Sequence, residues 1–292
     1  MSHPVKGIDH VFLLVDDLDD SLARYQALGF TVSPRGMHSA TKGSANHTIM
    51  FPDDYFELLG LLTQTPANKP RGDMLARCGQ GLHAIACRID TAEGAAADLA
   101  ELGLSTHGLG SFERPVPLPS GGEGTAAFST VAFSPEEVPL GIVFMCQHKT
   151  RDTVWLPELI EHANSACGLG GVLALSDDPQ TDGPRFARLF ADADLTTIDG
   201  GVRLETGTAS APLSLLTHEA LTARYPGFDL DDTPMGAFTA LQIKVADMGR
   251  ARSAIESASA PCIDTERGVA VAPTHCAGTI LEFVSDDTRS PA

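Results

Sequence analysis

The sequence predicts an α+β fold: four tandem βαβββ modules paired into two barrel-like halves. Three observations carry this prediction. An apolar strand followed by an amphipathic helix ending in Leu-Gly opens the chain at residues 7–30 and returns at 81–104, Leu28-Gly29 recurring as Leu102-Gly103. Weaker copies start at GGVLALSDDP (170–179) and GAFTALQIKVADMGRARSAIESA (236–258). Four copies of about 73 residues then account for the 292-residue length. One curved four-stranded sheet with a single helix buries too little apolar surface to stand alone, so modules must pair.

The first module opens with the strand GIDHVFLLV, followed by DDLDDSLARYQALGF. There, early acidic residues and the spacing of Leu22, Tyr25 and Leu28 indicate a helix that Gly29 stops. Three β-like pieces follow, around Thr31 to Gly36, Ala45 to Phe51 and Tyr55 to Leu62, separated by Pro34, Gly43 and the turn Pro52, Asp53, Asp54. In the second module the Ala-rich run after GLHAIACRID is a good helix, with later strands near Ala126 to Phe133 and Leu140 to Cys146. The third copy has the helix PRFARLFADADL, and the fourth ends in the strand GTILEFVSDD. The organisation expected is a domain over 1–150, a connector over 151–165 and a second half over 166–292. The connector segment WLPELIEHANS reads as a helix ending at an Asn turn, with His162 on its last carbonyls.

Composition excludes several classes. Lys plus Arg is 20 against 38 for Asp plus Glu, a net charge of −18, and no run of basic residues stands out. Such a surface repels phosphate backbones and anionic lipid, so neither nucleic acid nor membrane is an expected partner. The six cysteines are scattered with no CxxC pair, which speaks for buried thiols in a reducing compartment. With no apolar signal core in MSHPVKGIDH and no membrane-length apolar stretch, a cytoplasmic protein is expected. No P-loop or GxSxG occurs, and the glycines of ACGLGG precede a strand instead of following one.

The strand and helix IDHVFLLVDDLDDSLARYQALGF, the stretch TVSPRGMH followed by GSANHTIMF, and the strand YFELLGL together resemble the vicinal oxygen chelate superfamily, in particular its glyoxalase-like group. The resemblance implies a divalent metal (Zn, Ni, Co, Mn or Fe) at the open mouth of a paired-module barrel. It implies His10 of the first strand and Glu57 of the fourth as ligands. The residues agree with this independently, since both are polar groups inside apolar runs where a core prefers hydrophobes. The Leu-Gly alignment brings Ala84 onto His10 and His83 onto Asp9. His83 is therefore the third candidate ligand, provided that a bulge turns it to the site face. Phe144 stands where Glu57 would recur, with Cys146 and His148 further along the same face. His38 is a candidate general base beside Glu57, while Arg35, Asn46, His47 and His148 are candidate substrate contacts in the glycine-flanked loop and at the strand end. In the second half Gly171 or Val172 and Ala240 stand where histidine would be needed. Glu282 alone matches, with His275 seven residues before it, so this half is expected to supply walls and no ligand.

The activity that follows from the resemblance is a metal-assisted lyase or isomerase acting on a small carbonyl-containing molecule, with the metal polarising a substrate oxygen. The four-module length also fits ring-cleaving extradiol dioxygenases, and a metal-free small-molecule binding protein is the third possibility. A homodimer is expected as a possible assembly.

Overall fold

The computed structural model describes residues 2–118 and 121–286. Strand β1 (Ile8–Val15) is buried along its whole length. Helix α1 (Leu18–Ala27) is capped by the Asp17 carboxylate, which accepts from the Asp19 and Asp20 N–H groups. Gly29 ends it at φ +83°, a conformation that glycine reaches without a Cβ clash. The module is completed by β2 (Gly36–Met37), β3 (Ser44–Met50) and β4 (Tyr55–Leu61). The strand expected from Thr31 to Gly36 is reduced to β2. Pro34 has no N–H to offer a ladder, and the Thr31 N–H and hydroxyl are taken by His162 Nδ1 and the Glu161 carbonyl of the connector.

Helix α2 (Lys69–Cys78) leads into the second module, comprising β5 (Gly81–Arg88), α3 (Ala92–Glu101), β6 (Thr106–Pro117), β7 (Glu123–Phe133) and β8 (Ile142–His148). The two modules share one sheet of order β2-β3-β4-β1-β5-β8-β7-β6. At its centre β1 and β5 run antiparallel, and each pairs in parallel with the last strand of its own module. The edge strands β2 and β6 approach each other, which wraps the sheet around a cavity.

The second half repeats the plan with β9 (Ala166–Leu175), α4 (Pro179–Ala187), β10 (Asp194–Ile198), β11 (Gly201–Glu205), β12 (Leu213–Leu216) and α5 (His218–Arg224). Next come β13 (Ala240–Val245), α6 (Met248–Ser257), β14 (Cys262–Thr265), β15 (Gly268–Val271) and β16 (Ile280–Ser285). Its sheet order, β10-β11-β12-β9-β13-β16-β15-β14, is the same permutation. The helix expected to begin at Pro184 begins at Pro179 instead, because the Asp178 side chain caps it there by accepting from the Thr181 N–H. One core cluster runs through both halves, with Tyr25, Phe56, Phe186, Phe238 and Phe283 fully buried in it. The six cysteines are free thiols, and no helix among the described residues is long and apolar enough to cross a membrane.

The connector is not a helix. It forms two short 3-10 turns, Arg151–Thr153 and Pro157–Leu159, and its last residues latch the halves together. His162 accepts from the Thr31 N–H at Nδ1 (3.0 Å) and donates from Nε2 to the Met50 carbonyl (2.8 Å). The fully buried Asn164 donates from Nδ2 to the Leu28 carbonyl (2.9 Å) and accepts from the Ala166 N–H (3.0 Å). One side chain thus satisfies a helix-end carbonyl of the first half and a strand-start N–H of the second. Asn164→Ala strands both groups in a dry interior. We expect a loss of about 2–4 kcal/mol, read as a lower urea midpoint with both halves unfolding in one transition.

Candidate functional site

On β1 the side chains of Val11, Leu13 and Val15 face the main core, while His10 and Phe12 face the cavity. Ile8 also faces the core, so the alternation slips by one residue between Ile8 and His10. The pairing with β5 shows why: Ile8 sits opposite Cys87 and His10 opposite Ala86, leaving Asp9 as the extra residue of a bulge. The bulge gathers polar groups from three strands. Asp9 Oδ1 accepts from His10 Nδ1 at 2.8 Å and from His148 Nε2, at the end of β8, at 3.0 Å. Asp9 Oδ2 is 3.5 Å from the Arg88 guanidinium on β5. Burial alone would raise the Asp9 pKa, but the two imidazole hydrogen bonds outweigh it and hold the carboxyl well below its ordinary range. The Tyr55 ring stacks on His10 at 4.2 Å.

The donor atoms of Asp9, His10 and His148 lie within 4.8 Å of one another, so they form a possible metal site. The set fits a divalent ion by its chemistry. Two imidazoles and a carboxylate suit Fe, Mn or Zn. An imidazole in its neutral form has one bare nitrogen, and a change of tautomer presents it where the N–H now points at Asp9.

The cavity measures about 370 Å³. Its apolar wall includes Phe12, Phe112, Phe128 and Phe144, and its polar lining includes His10, His38, Asn46, Tyr55 and Glu57. Glu57 lies opposite Phe12 in the parallel β1–β4 register, two residues along from the His10–Tyr55 pair. It is half-buried, and its carboxylate makes no hydrogen bond or ion pair among the described residues. The Asn46 Oδ1 atom is buried in the same wall with no partner. His38 bonds Ser44 Oγ at 2.8 Å, and its pKa is pushed down to about 3 by burial, reinforced by the nearby charges of Lys42, Arg114 and Arg71. A neutral imidazole so hard to protonate suits hydrogen bonding better than the general-base role the sequence suggested.

The remaining sequence candidates are placed elsewhere. His83 does sit at a bulge, between the pairs Phe12–Ala84 and Leu13–Leu82, but the bulge turns it away from the cavity, and its Nε2 donates to the Gly79 carbonyl at 2.8 Å. His47 follows Asn46 on β3 and so faces the opposite side, where Nδ1 donates to the Ser33 carbonyl at 2.7 Å. Arg35 lies outside the cavity, paired with Asp19. His148 stands behind the lining, bonded to Asp9. Of the expected ligands His10, Glu57 and His83, His10 belongs to the converging donor group, whose other members are Asp9 and His148.

Sequence reasoning missed Asp9 as well as Lys42, Arg71 and Arg114, three basic side chains that line the cavity from the β2–β3 loop, α2 and β6. Lys42 carried a readable signal, since it lies in the glycine-flanked loop already singled out. Arg71 and Arg114 had none, because neither α2 nor β6 was read from the sequence.

In the second half the glutamate at the third position of a module's last strand is Glu282 on β16, which matches β8 in the strand order, and its site is closed. Glu282 is fully buried and accepts from Arg224 (3.0 Å), Tyr225 Oη (2.9 Å), Gln242 Nε2 (2.7 Å) and Thr265 Oγ1 (2.7 Å). Every acceptor position is used. His275 makes no bond to it.

A family model described as Glyoxalase-like domain matches residues 8–190, more than half of the chain, and the chain belongs to that family. Among solved structures it is similar to a hypothetical protein from Staphylococcus aureus, at 14% identity and TM-score 0.66, covering 95% of this chain and 98% of that one. It is also similar to a variant of 4-hydroxymandelate synthase from Streptomyces coelicolor, at 11% identity and TM-score 0.55, covering 97% and 93%. A third similar structure is a variant of homoprotocatechuate 2,3-dioxygenase from B. fuscum, at 13% identity and TM-score 0.58, covering 99% and 74%. At these identities the likeness is one of fold, the two-halved vicinal oxygen chelate architecture. A search of curated proteins finds no match.

The depressed His38 pKa has a measurable consequence. The unfolded chain takes up a proton near pH 6.5 and the folded chain only near pH 3, so this histidine contributes stability that is full above about 6.5 and is lost as pH falls toward 3. In an NMR titration its imidazole signals should stay unchanged from pH 8 down to about 4. A midpoint near 6.5 would contradict the burial and charge described.

Proposed function

We propose that this glyoxalase-like chain is a metal-assisted lyase or isomerase acting on a small carbonyl-containing molecule, and that its reaction begins with removal of a proton α to the carbonyl. The observation that carries this reading is the juxtaposition of an unengaged carboxylate, Glu57, with the imidazole of His10 on one cavity wall, backed by the three-donor group to which His10 belongs.

Glu57 is the base. Its oxygens have no protein hydrogen bond to break before they accept a proton, and the half-buried position limits competition from water. Asp9, His10 and His148 would hold a divalent ion, and when bound that ion supplies a Lewis acid for the negative charge that develops on the carbonyl oxygen. His38, neutral at working pH, and Asn46 orient the carbonyl compound by hydrogen bonding. The phenylalanine wall excludes water from the carbanion side. The acidic surface and the enclosed cavity both favour a small molecule over a nucleic acid as the partner.

A second reading is favoured by one observation: two imidazoles and one carboxylate are also the donor set of non-haem iron oxygenases. About one iron per chain together with oxygen uptake on a catechol would select ring-opening dioxygenation.

The lyase or isomerase reading is tested by metal analysis and by exchange of α-protons of small carbonyl compounds in D₂O. The wild-type chain should carry about one divalent ion, and His148→Ala should lose it. Glu57→Gln should keep the ion and slow exchange by about 100-fold or more. Exchange undiminished in Glu57→Gln would remove Glu57 from the chemistry.

A further inference from the structure

The cavity is short of negative charge. Among the described residues three basic side chains, Lys42, Arg71 and Arg114, line this one cavity, against one acidic side chain, Glu57. In a chain of net charge −18, composition alone would give the opposite balance. The three come from separate elements and converge on the same space. All are half-buried, and none of their side chains makes a hydrogen bond or ion pair among the described residues. Lys42 rests over the Phe112 ring at 3.2 Å. Arg114 is close to Asn46 across Gly36, where an added Cβ would run into the Asn46 carboxamide and lie 2.6 Å from the guanidinium.

Half-buried cations are costly where one facing carboxylate, here Glu57, has to offset the desolvation of three. The effect registers on Lys42, whose ammonium pKa is pushed down to about 8 by burial and by repulsion from Arg71, with Glu57 opposing too weakly to restore it. Asn46 gives an independent sign of a missing ligand. It is 4% exposed, lines the same cavity and has an unpartnered Oδ1; since carboxamide O and N exchange places by a flip, it offers either an acceptor or a donor to a guest.

We propose that the molecule this cavity binds carries an oxyanion, a carboxylate or a phosphate, held by Lys42, Arg71 and Arg114, with an apolar body against the phenylalanine wall. The proposal rests on the reading of this cavity as a small-molecule site and specifies its substrate class. Arg71 and Arg114 offer planar forks of N–H donors that match two oxyanion oxygens, and Lys42 adds a point charge. With the oxyanion anchored there, the carbonyl end is presented toward Glu57 and His10 on the facing strands.

Calorimetric binding of three probes of similar size decides the matter: phenylacetate, phenyl phosphate and the neutral phenylacetamide, each at low and high salt. The two anions should bind at least about tenfold tighter than the amide, with the preference shrinking as salt rises. The better of the two identifies carboxylate or phosphate. Arg71→Gln and Arg114→Gln should each weaken the anions about tenfold while leaving the amide unchanged. Without ligand both variants should melt at or above the wild-type temperature, because an unpaired cation has been removed; this separates lost binding from lost folding. An equal response to the three probes, including none, or anion binding that survives both substitutions, overturns the proposal. The readout is binding alone, so it is independent of proton removal. If Glu57→Gln binds the anions yet shows no effect on exchange, the reaction assignment fails and the oxyanion site stands.

Discussion

One buried carboxylate holds the candidate site in place. Asp9 is 1% exposed, and an ionised carboxylate at such a position costs several kcal/mol unless its acceptor sites are filled. It is filled by two imidazoles, His10 of β1 and His148 of β8 two strands away, and approached by the Arg88 guanidinium of β5 between them. Without the bulge between Ile8 and His10, Asp9 would point into the main core and His10 would have no partner behind it. The bulge lies at the seam where the two modules pair, so the duplication itself creates the place where a first-module aspartate meets a second-module histidine. Neither module contains the constellation alone.

The two halves share a strand order, and each carries a glutamate at the third position of a module's last strand, Glu57 on β4 and Glu282 on β16, the strand that matches β8. Glu57 faces a cavity and is left without a protein partner, whereas Glu282 is enclosed by Arg224, Tyr225, Gln242 and Thr265. Arg224 ends helix α5 and Tyr225 follows it, so this segment supplies two of the four donors. The counterpart in the first half, α2, delivers Arg71 to the cavity without closing it onto Glu57. A carboxylate sealed by hydrogen bonds has its acceptor positions filled, and an open one can accept from a guest. Asn164 and His162 couple the half with the sealed carboxylate to the half that holds Glu57.

The fold was legible because the strand and helix that open each pair of modules repeat at a fixed spacing, and a helix ending in Leu-Gly survives divergence. His10, His38, Asn46 and Glu57 were legible for a related reason: each is polar in a run or loop where neighbouring residues are not, and all four line the cavity. What failed was everything decided by register. His83 and Asp9 both sit at bulges, and a bulge sends one side chain toward a partner and the other away for reasons that lie in the opposing strand. The basic residues were hidden differently. Arg71 lies in KPRGDMLARC, whose proline and glycine mask a helix, and Arg114 lies in a long edge strand with mostly exposed side chains. Their convergence is a property of the closed sheet and of no single segment.

The proposed metal role stands on Asp9 as the residue that gathers two imidazoles into one donor group. Cobalt(II), added to the chain after chelation, reports on its own ligands through visible absorption. The wild-type protein should develop a band that saturates at about one equivalent, as expected for a single imidazole- and carboxylate-containing site, and Asp9→Asn should abolish that band or shift it strongly while remaining folded. A wild-type protein with no saturable band, or an Asp9→Asn variant whose spectrum matches the wild type, would contradict the account.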